Sequence, residues 1–106
     1  MAKYLVQASY TAEGVKGLLE DGGSGRRSAA TKLIESVGGK VEAFYFAFGS
    51  SDAYVIVDMP DNASAAAASL AVNSSGAVTT TVTVLLTPEE VDAACQKTPA
   101  YRAPGS

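Results

Sequence analysis

The chain has 106 residues and a formal net charge of −3, and 47% of its residues are hydrophobic, so it can form one domain with a core of its own. Its eight basic residues are scattered apart from the Arg26-Arg27 pair, and we therefore expect no nucleic-acid partner. Because the sequence contains no histidine, it excludes histidine-based zinc sites, imidazole-held haem and Ser-His or Cys-His nucleophile pairs, and we expect no metal and no cofactor.

The first predicted element is a strand from Lys3 to Tyr10. Its side chains alternate, and one face carries Tyr4, Val6, Ala8 and Tyr10 while the other carries Leu5, Gln7 and Ser9. Thr11 is then a suitable N-cap for a helix. The glycine-rich segment after Glu20 disfavours a regular helix, but helical spacing resumes near Ala29 and continues to Val37, before Gly38. These features predict one long helix that is interrupted or bulged in the middle.

The interrupted part of this helix, "EDGGSGRRSAA", has a second interpretation. Glycines that expose backbone amides next to two arginines are compatible with phosphate binding. No Gly-Lys-Ser/Thr sequence follows, and no strand directly precedes the segment. We therefore interpret it as a break in a helix.

Two strands and a turn follow. The second strand, from Lys40 to Phe48, is apolar on both faces, with Phe44, Phe46 and Phe48 alternating with Val41, Ala43, Tyr45 and Ala47. The third strand runs from Ala53 to Met59 and ends at Pro60. Between them, the residues Gly49-Ser50-Ser51-Asp52 are typical of a four-residue hairpin loop in which the glycine supplies a positive φ angle.

The remaining elements are a helix, a strand and a short helix. Asp61 or Asn62 caps an alanine-rich helix that ends near Ser75 and whose small side chains allow a close approach to the sheet. The last strand, 77–86, has one aliphatic face and one hydroxyl-rich face. Thr87-Pro88-Glu89-Glu90 forms a capping box for a helix that runs to about Lys97 and buries Cys95 as a small hydrophobe without a catalytic role. We assign residues 1–97 to a single domain and 98–106 to a flexible tail, or an arm laid on a neighbour.

The order strand, helix, strand, strand, helix, strand predicts an α+β ferredoxin-like fold. In this βαββαβ fold, a four-stranded antiparallel sheet carries both helices on one face. The other face contains Phe, Tyr, Ile or Thr side chains from the second, third and fourth strands. Because monomers rarely expose a large apolar patch, we expect a second copy to cover this face and form a two-fold dimer with a barrel between the sheets.

The span from Lys3 to about Ala94 resembles the GYD family of small bacterial proteins, within the dimeric α+β barrel superfamily. The resemblance lies in "KYLVQASYTAEGVKGL", "VGGKVEAFYFAFGSSDAYVIVDMPD" and "AAAASLAVNSSGAVTTTVTVL". Five residues fit the family pattern around the Gly-Tyr-Asp signature: Gly49, Asp52, Asp58, Pro60 and Asp61. Ser51 stands where the family has its tyrosine. The resemblance implies a dimeric barrel, and related barrels include cofactor-independent monooxygenases, isomerases, haem enzymes and binding proteins.

The most distinctive candidate site residue is Asp58, which shares a strand face with Tyr54 and Ile56. If this face lines a barrel, partial burial makes Asp58 a candidate general base, with Tyr54 or Gln7 positioning a substrate. The alternative is that Asp58 is solvated or pairs with Lys3 or Lys40. The candidate ligand-binding residues are Gln7, Ser9, Asp52, Thr79 and Thr81, joined on the same face by Thr83.

Three functions are compatible with the sequence. The first is a small oligomeric protein that binds an apolar or aromatic metabolite in a barrel or in a pocket between sheet and helices. The second is a cofactor-independent monooxygenase or isomerase with a carboxylate base. The third is a structural assembly protein. The sequence does not decide whether the protein is an enzyme.

The expected location is the cytoplasm. No apolar run approaches the ~20 residues of a membrane span, and the first residues lack the pattern of a secretory signal. The single cysteine, Cys95, cannot form an internal disulfide, which suits a reducing compartment. We expect the chain itself to be the main partner, in a homodimer or larger homo-oligomer, together with a small-molecule ligand.

Overall fold

The computed structural model describes all 106 residues. It contains four strands and three helices, in the order β1 (Ala2–Tyr10), α1 (Ala12–Ser36), β2 (Lys40–Phe46), β3 (Ala53–Met59), α2 (Asn62–Ser74), β4 (Val78–Leu85) and α3 (Pro88–Cys95). The strands form one antiparallel sheet in the order β2-β3-β1-β4. The protein therefore has the predicted α+β, ferredoxin-like βαββαβ fold.

The core lies between one face of the sheet and the helices α1 and α2. Its main cluster joins Ile34 of α1 and Ala68 of α2 to four buried residues of the two central strands: Tyr4, Val55, Val57 and Met59. The opposite face, which we call the open face, carries Leu5, Gln7 and Ser9 of β1 opposite Thr83, Thr81 and Thr79 of β4. No element of the chain packs on the open face, so its side chains are exposed or only half-buried.

The N-termini of the three helices are capped as predicted. The Thr11 hydroxyl accepts a hydrogen bond from the Gly14 amide, and the Asp61 carboxylate accepts one from the Ser64 amide at 2.7 Å. Thr87 and Glu90 form the predicted capping box of α3. Because these contacts are local, the first residues of the helices could be predicted from the sequence.

The predicted interruption of α1 occurs at Gly22. This residue has a φ angle of 75°, which a side chain at this position would strain, whereas the flanking residues are helical. Beside the break, the backbone of Gly23 approaches the ring of Phe46, since a Cβ atom built on Gly23 would lie 3.2 Å from Phe46 Cε2. The glycines therefore kink the helix and bring its second half onto the sheet.

The predicted arrangement of β2 was wrong. A β-bulge between Val41 and Ala43 shifts the alternation, so that Val41, Phe44 and Phe46 pair with the buried residues of β3 and face the helices. Tyr45 and Ala43 lie instead on the open face, opposite Tyr54 and Ile56. The open face therefore lacks the phenylalanines that the sequence had placed there.

The loop between β2 and β3 forms the predicted hairpin connection, but it spans six residues, 47–52, instead of the predicted four, because β2 ends at Phe46 and not at Phe48. The residue with positive φ is Phe48, at 58°, and not Gly49. The Phe48 ring stacks on that of Phe46 with 5.8 Å between the ring centroids.

The helix α3 and the tail extend away from the sheet. All side chains from Pro88 to Ser106 are exposed, and the chain measures 57 Å along its longest axis. Cys95 is also exposed, which corrects the expectation that it is buried, because α3 does not fold back on its own domain. The division at residue 97 stays a prediction. No helix has both the length and the apolar character that a membrane crossing requires.

Candidate functional site

Most of the predicted ligand-binding residues lie together on the open face. Gln7 of β1 lies opposite Tyr54 of β3 on one side and opposite Thr81 of β4 on the other, and Ser9 lies opposite Thr79. The Ser51 hydroxyl is 3.4 Å from the Gln7 side-chain oxygen. The sheet register thus forms a polar row across the open face, as the alternation pattern indicated.

Asp58 lies at the other end of the same face. It is four residues from Tyr54 along β3, which corresponds to about 13 Å in an extended strand. A base at Asp58 and a positioning group at Tyr54 or Gln7 would therefore contact opposite ends of a substrate. The catalytic roles of Asp58 and Tyr54 stay a prediction.

The Asp58 carboxylate has a cationic partner. Lys3 Nζ lies 2.9 Å from Asp58 Oδ1 and 2.7 Å from Glu42 Oε2. The hydrogen bonds to Glu42 and then to Asp58 raise the pKa of Lys3 above its ordinary value, so that this lysine stays charged over the whole physiological range. Asp58 therefore accepts a hydrogen bond from a permanent cation, which is the pairing with Lys3 that the sequence left open.

Asp52 contacts the backbone of β1. Its carboxylate accepts a hydrogen bond from the Tyr10 amide at 2.8 Å, while its own amide donates to the Ala8 carbonyl, also at 2.8 Å. Its carbonyl accepts from the Ala47 amide and closes the loop. Asp52 thus ties the β2–β3 hairpin to the end of β1, and this geometry fits a structural part of a hairpin.

A cavity lies on the other side of the sheet, beneath α1 and α2. It has a volume of about 110 Å³, and 17 of its 20 lining residues are hydrophobic. The sheet supplies its floor, with Val6, Val55 and Val57, and α2 supplies a wall of small side chains, Ala65 and Ala68. Because alanines reach only a short distance from the helix, they leave space above the sheet that larger residues would fill.

The cavity has few polar groups, and most of these are paired. The hydroxyls of Ser69 and Thr80 are hydrogen-bonded to each other at 2.7 Å, and the Tyr4 hydroxyl donates to the Asn62 side-chain oxygen. Arg26 is the only charged residue in the lining. The arrangement is that of an apolar pocket with a small number of orienting groups, which is the usual composition of a small-molecule site.

The sequence indicated a pocket between sheet and helices but did not identify its residues. The available signal is the alanine-rich run of α2, which predicts a close approach of this helix to the sheet. The same small side chains permit either close packing or a gap, depending on how the helix is held. No three side chains of the types that bind metals cluster closely enough to hold an ion.

The sequence of residues 4–95 matches the family model described as the GYD domain. The chain belongs to the GYD domain family. This family is part of the dimeric α+β barrel superfamily, in agreement with the observed βαββαβ order. No curated protein and no solved structure matches the chain. In this GYD domain, Gly49, Ser51 and Asp52 lie in the β2–β3 hairpin, and the Ser51 hydroxyl lies beside the side chain of Gln7.

Proposed function

We propose that the protein binds a small apolar or aromatic molecule in the cavity between the sheet and the helices α1 and α2. The observation that carries this proposal is the cavity itself, with its volume of about 110 Å³ and its predominantly hydrophobic lining. For comparison, an engineered apolar cavity of about 150 Å³ in another protein stays dry and binds benzene. A single ring or a short alkyl chain is therefore the size of ligand that suits this site.

The affinity would come from the removal of apolar ligand surface from water. Burial contributes roughly 25 cal/mol per Å² of apolar surface, so the part of a ring that the cavity covers contributes to binding without any hydrogen bond. The lining needs little rearrangement, because the floor residues Val55 and Val57 are held in the central strand of the sheet. A rigid floor lowers the entropic cost of binding.

A matched pair of variants on α2 tests the proposal. Ala65 lines the cavity, whereas its neighbour Ala66 is exposed and lies outside the lining. Thermal unfolding would be followed for the wild type, Ala65→Leu and Ala66→Leu with and without benzene, phenol and indole. At a ligand concentration ten times Kd, the wild type should gain about 1.4 kcal/mol, or roughly 6 °C or more in Tm.

The two variants should then differ in their ligand-dependent rise in Tm. Ala65→Leu fills part of the cavity and should lose the ligand-dependent rise in Tm, whereas Ala66→Leu should keep it. Absence of any rise in the wild type with all three probes would contradict the proposal. An equal rise in both variants would place the bound molecule elsewhere.

We further propose that two copies of the chain associate through the open face. Three observations support this: membership of a superfamily of dimeric barrels, the unpartnered face, and its half-buried apolar centre at Leu5 and Ile56. Monomers rarely leave such a face in water. The row of threonine hydroxyls that β4 contributes to the open face would form the polar part of the contact.

The extended α3 fits the same dimer. It has eight residues and no packing against its own domain, and an isolated helix of this length is marginal in water. Its exposed Val91, together with Leu86 before it, can pack on the second copy. Removal of residues 87–106 should therefore weaken the dimer, as measured by its dissociation in analytical ultracentrifugation, and an unchanged dissociation constant would contradict this part of the proposal.

A further inference from the structure

Arg26 lies at the edge of the cavity, between it and a second space. It follows the kink of α1 at Gly22, and its side chain lines both the apolar cavity and an adjoining groove of about 280 Å³. Tyr10 and Val72 are shared between the cavity and the groove in the same way. Arg26 therefore lies where the apolar cavity meets a more polar, water-accessible groove.

The guanidinium is incompletely paired. Its only ionic partner is Asp21, with 3.6 Å between Arg26 Nη1 and Asp21 Oδ2, a distance too long for a good hydrogen bond. An arginine side chain has five N–H donors in a planar fork that matches the two oxygens of a carboxylate. About two-thirds of the Arg26 side chain is buried, but none of its nitrogen atoms is buried without a partner, so these donors remain open to a ligand.

We infer that the ligand is an apolar carboxylic acid, whose ring or chain fills the cavity while its carboxylate binds Arg26. This inference rests on the proposed function, since it names the chemical class of the molecule bound in that cavity. The carboxylate forms the paired hydrogen bonds that Asp21 does not complete. Binding an anion beside an otherwise apolar lining also gives specificity, because an uncharged analogue leaves the guanidinium without these bonds.

The acidic residues of the groove limit what binds there. Glu13 and Asp21 both line it, and Glu13 is weakly paired with Lys16 at 3.5 Å. Their charges repel a second anionic group, so the geometry selects a monocarboxylate over a dicarboxylate. Asp21 also competes with the ligand for Arg26, so neutralising Asp21 should strengthen binding of the acid.

Two isosteric probes distinguish the carboxylate from the apolar body. Phenylacetate and phenylacetamide have the same ring and nearly the same shape, and only the first is charged. Isothermal titration calorimetry at pH 7 would give Kd for each with the wild type, Arg26→Gln, Arg27→Gln and Asp21→Asn. Arg27 is the matched control, because it is the exposed neighbour of Arg26 and does not line the cavity.

The wild type should bind the acid about tenfold more tightly than the amide, which is the contribution typical of a charge-assisted hydrogen bond. Arg26→Gln should abolish this preference by weakening the binding of the acid about tenfold relative to the amide, and Arg27→Gln should preserve it. Asp21→Asn should raise the affinity for the acid only.

Other results would overturn the inference. Equal binding of acid and amide by the wild type, or a preference that survives Arg26→Gln, would overturn the inference and leave the proposed function in place. If neither probe binds, and the neutral probes benzene, phenol and indole also fail to raise Tm, the proposed function and the inference both fall.

Discussion

Leu5 of β1 lies directly opposite Ile56 of β3, at the centre of the open face. Neither side chain is covered by another element of its own chain, although both strands are central in the sheet. An uncovered aliphatic pair at the centre of a sheet face is typical of a contact surface, and this pair is one reason why we propose a dimer through the open face.

The first prediction concerns this pair. Ile56→Glu should dissociate the proposed dimer, because it would bury one carboxylate from each copy in the contact without a partner. Ala66→Glu, on the exposed side of α2, is the matched control and should remain dimeric. Sedimentation velocity should give the mass of one 10.8 kDa chain for the first variant and about twice that mass for the second. A dimeric Ile56→Glu variant would show that another surface makes the contact.

The second prediction concerns the catalytic hypothesis for Asp58. Asp58 pairs with Lys3 on the open face and does not line the cavity. Asp58→Asn should therefore change the affinity of cavity ligands by no more than about twofold, as expected for separate sites. Titration of phenylacetate into both proteins measures this, and a large loss of affinity in the variant would place the ligand on the open face instead.

The third prediction uses two glycines of the same helix. A Cβ atom at Gly14 would collide with the Ala77 carbonyl, whereas one at Gly17 would meet nothing within 4 Å. Gly14→Ala should destabilise the protein by about 2 kcal/mol, because the close packing of α1 on the start of β4 must shift. Gly17→Ala should stabilise it by about 0.5–1 kcal/mol through reduced freedom of the unfolded chain.

Urea unfolding curves of the two glycine variants measure these changes in the free energy of unfolding. The midpoint should move in opposite directions, with an unchanged slope m. A Gly14→Ala variant as stable as Gly17→Ala would mean that α1 does not approach Ala77 as closely as described.

The fourth prediction concerns pH. Hydrogen bonds from Ser64, side chain and backbone, lower the pKa of the Asp61 carboxyl below its ordinary value. A lowered pKa in the folded state gives stability that is present at neutral pH and is lost as the pH falls below about 4 and through the folded-state pKa. Asp61→Asn keeps a capping side chain but removes this titration.

The check is the pH dependence of Tm between pH 2.5 and 7 for the wild type and Asp61→Asn. The difference in Tm between the two proteins should be greatest at neutral pH and should shrink in acid. A difference that stays constant over this range would show that the N-cap of α2 does not depend on the charge of Asp61.

The parts of the fold that could be predicted are those that depend on local chemistry. Thr11, Asp61 and Thr87 cap the helices as their side chains suggested, and the alternation in β1 and β3 gave the correct faces. Gly38, with a φ angle of 85°, ends the turn after α1 as expected. The family resemblance agreed with these elements.

The parts that could not be predicted depend on contacts between distant residues. The bulge between Val41 and Ala43 reverses the faces of the phenylalanines, and a strand that is apolar on both sides gives no signal of such a shift. The cavity depends on the distance of α2 from the sheet, which the alanine run alone does not determine. The sequence shows Arg26 only as one of a basic pair, because its position beside the cavity follows from the kink at Gly22.

The most direct measurement for the central claim is a methyl NMR titration of the protein with phenylacetate. Binding in the cavity should shift the methyl resonances of Ala68 and Val78, which line it, and leave those of Leu5 and Ile56 on the open face unchanged. Shifts confined to Leu5 and Ile56, or no shifts at millimolar ligand, would contradict the claim that this cavity is the binding site.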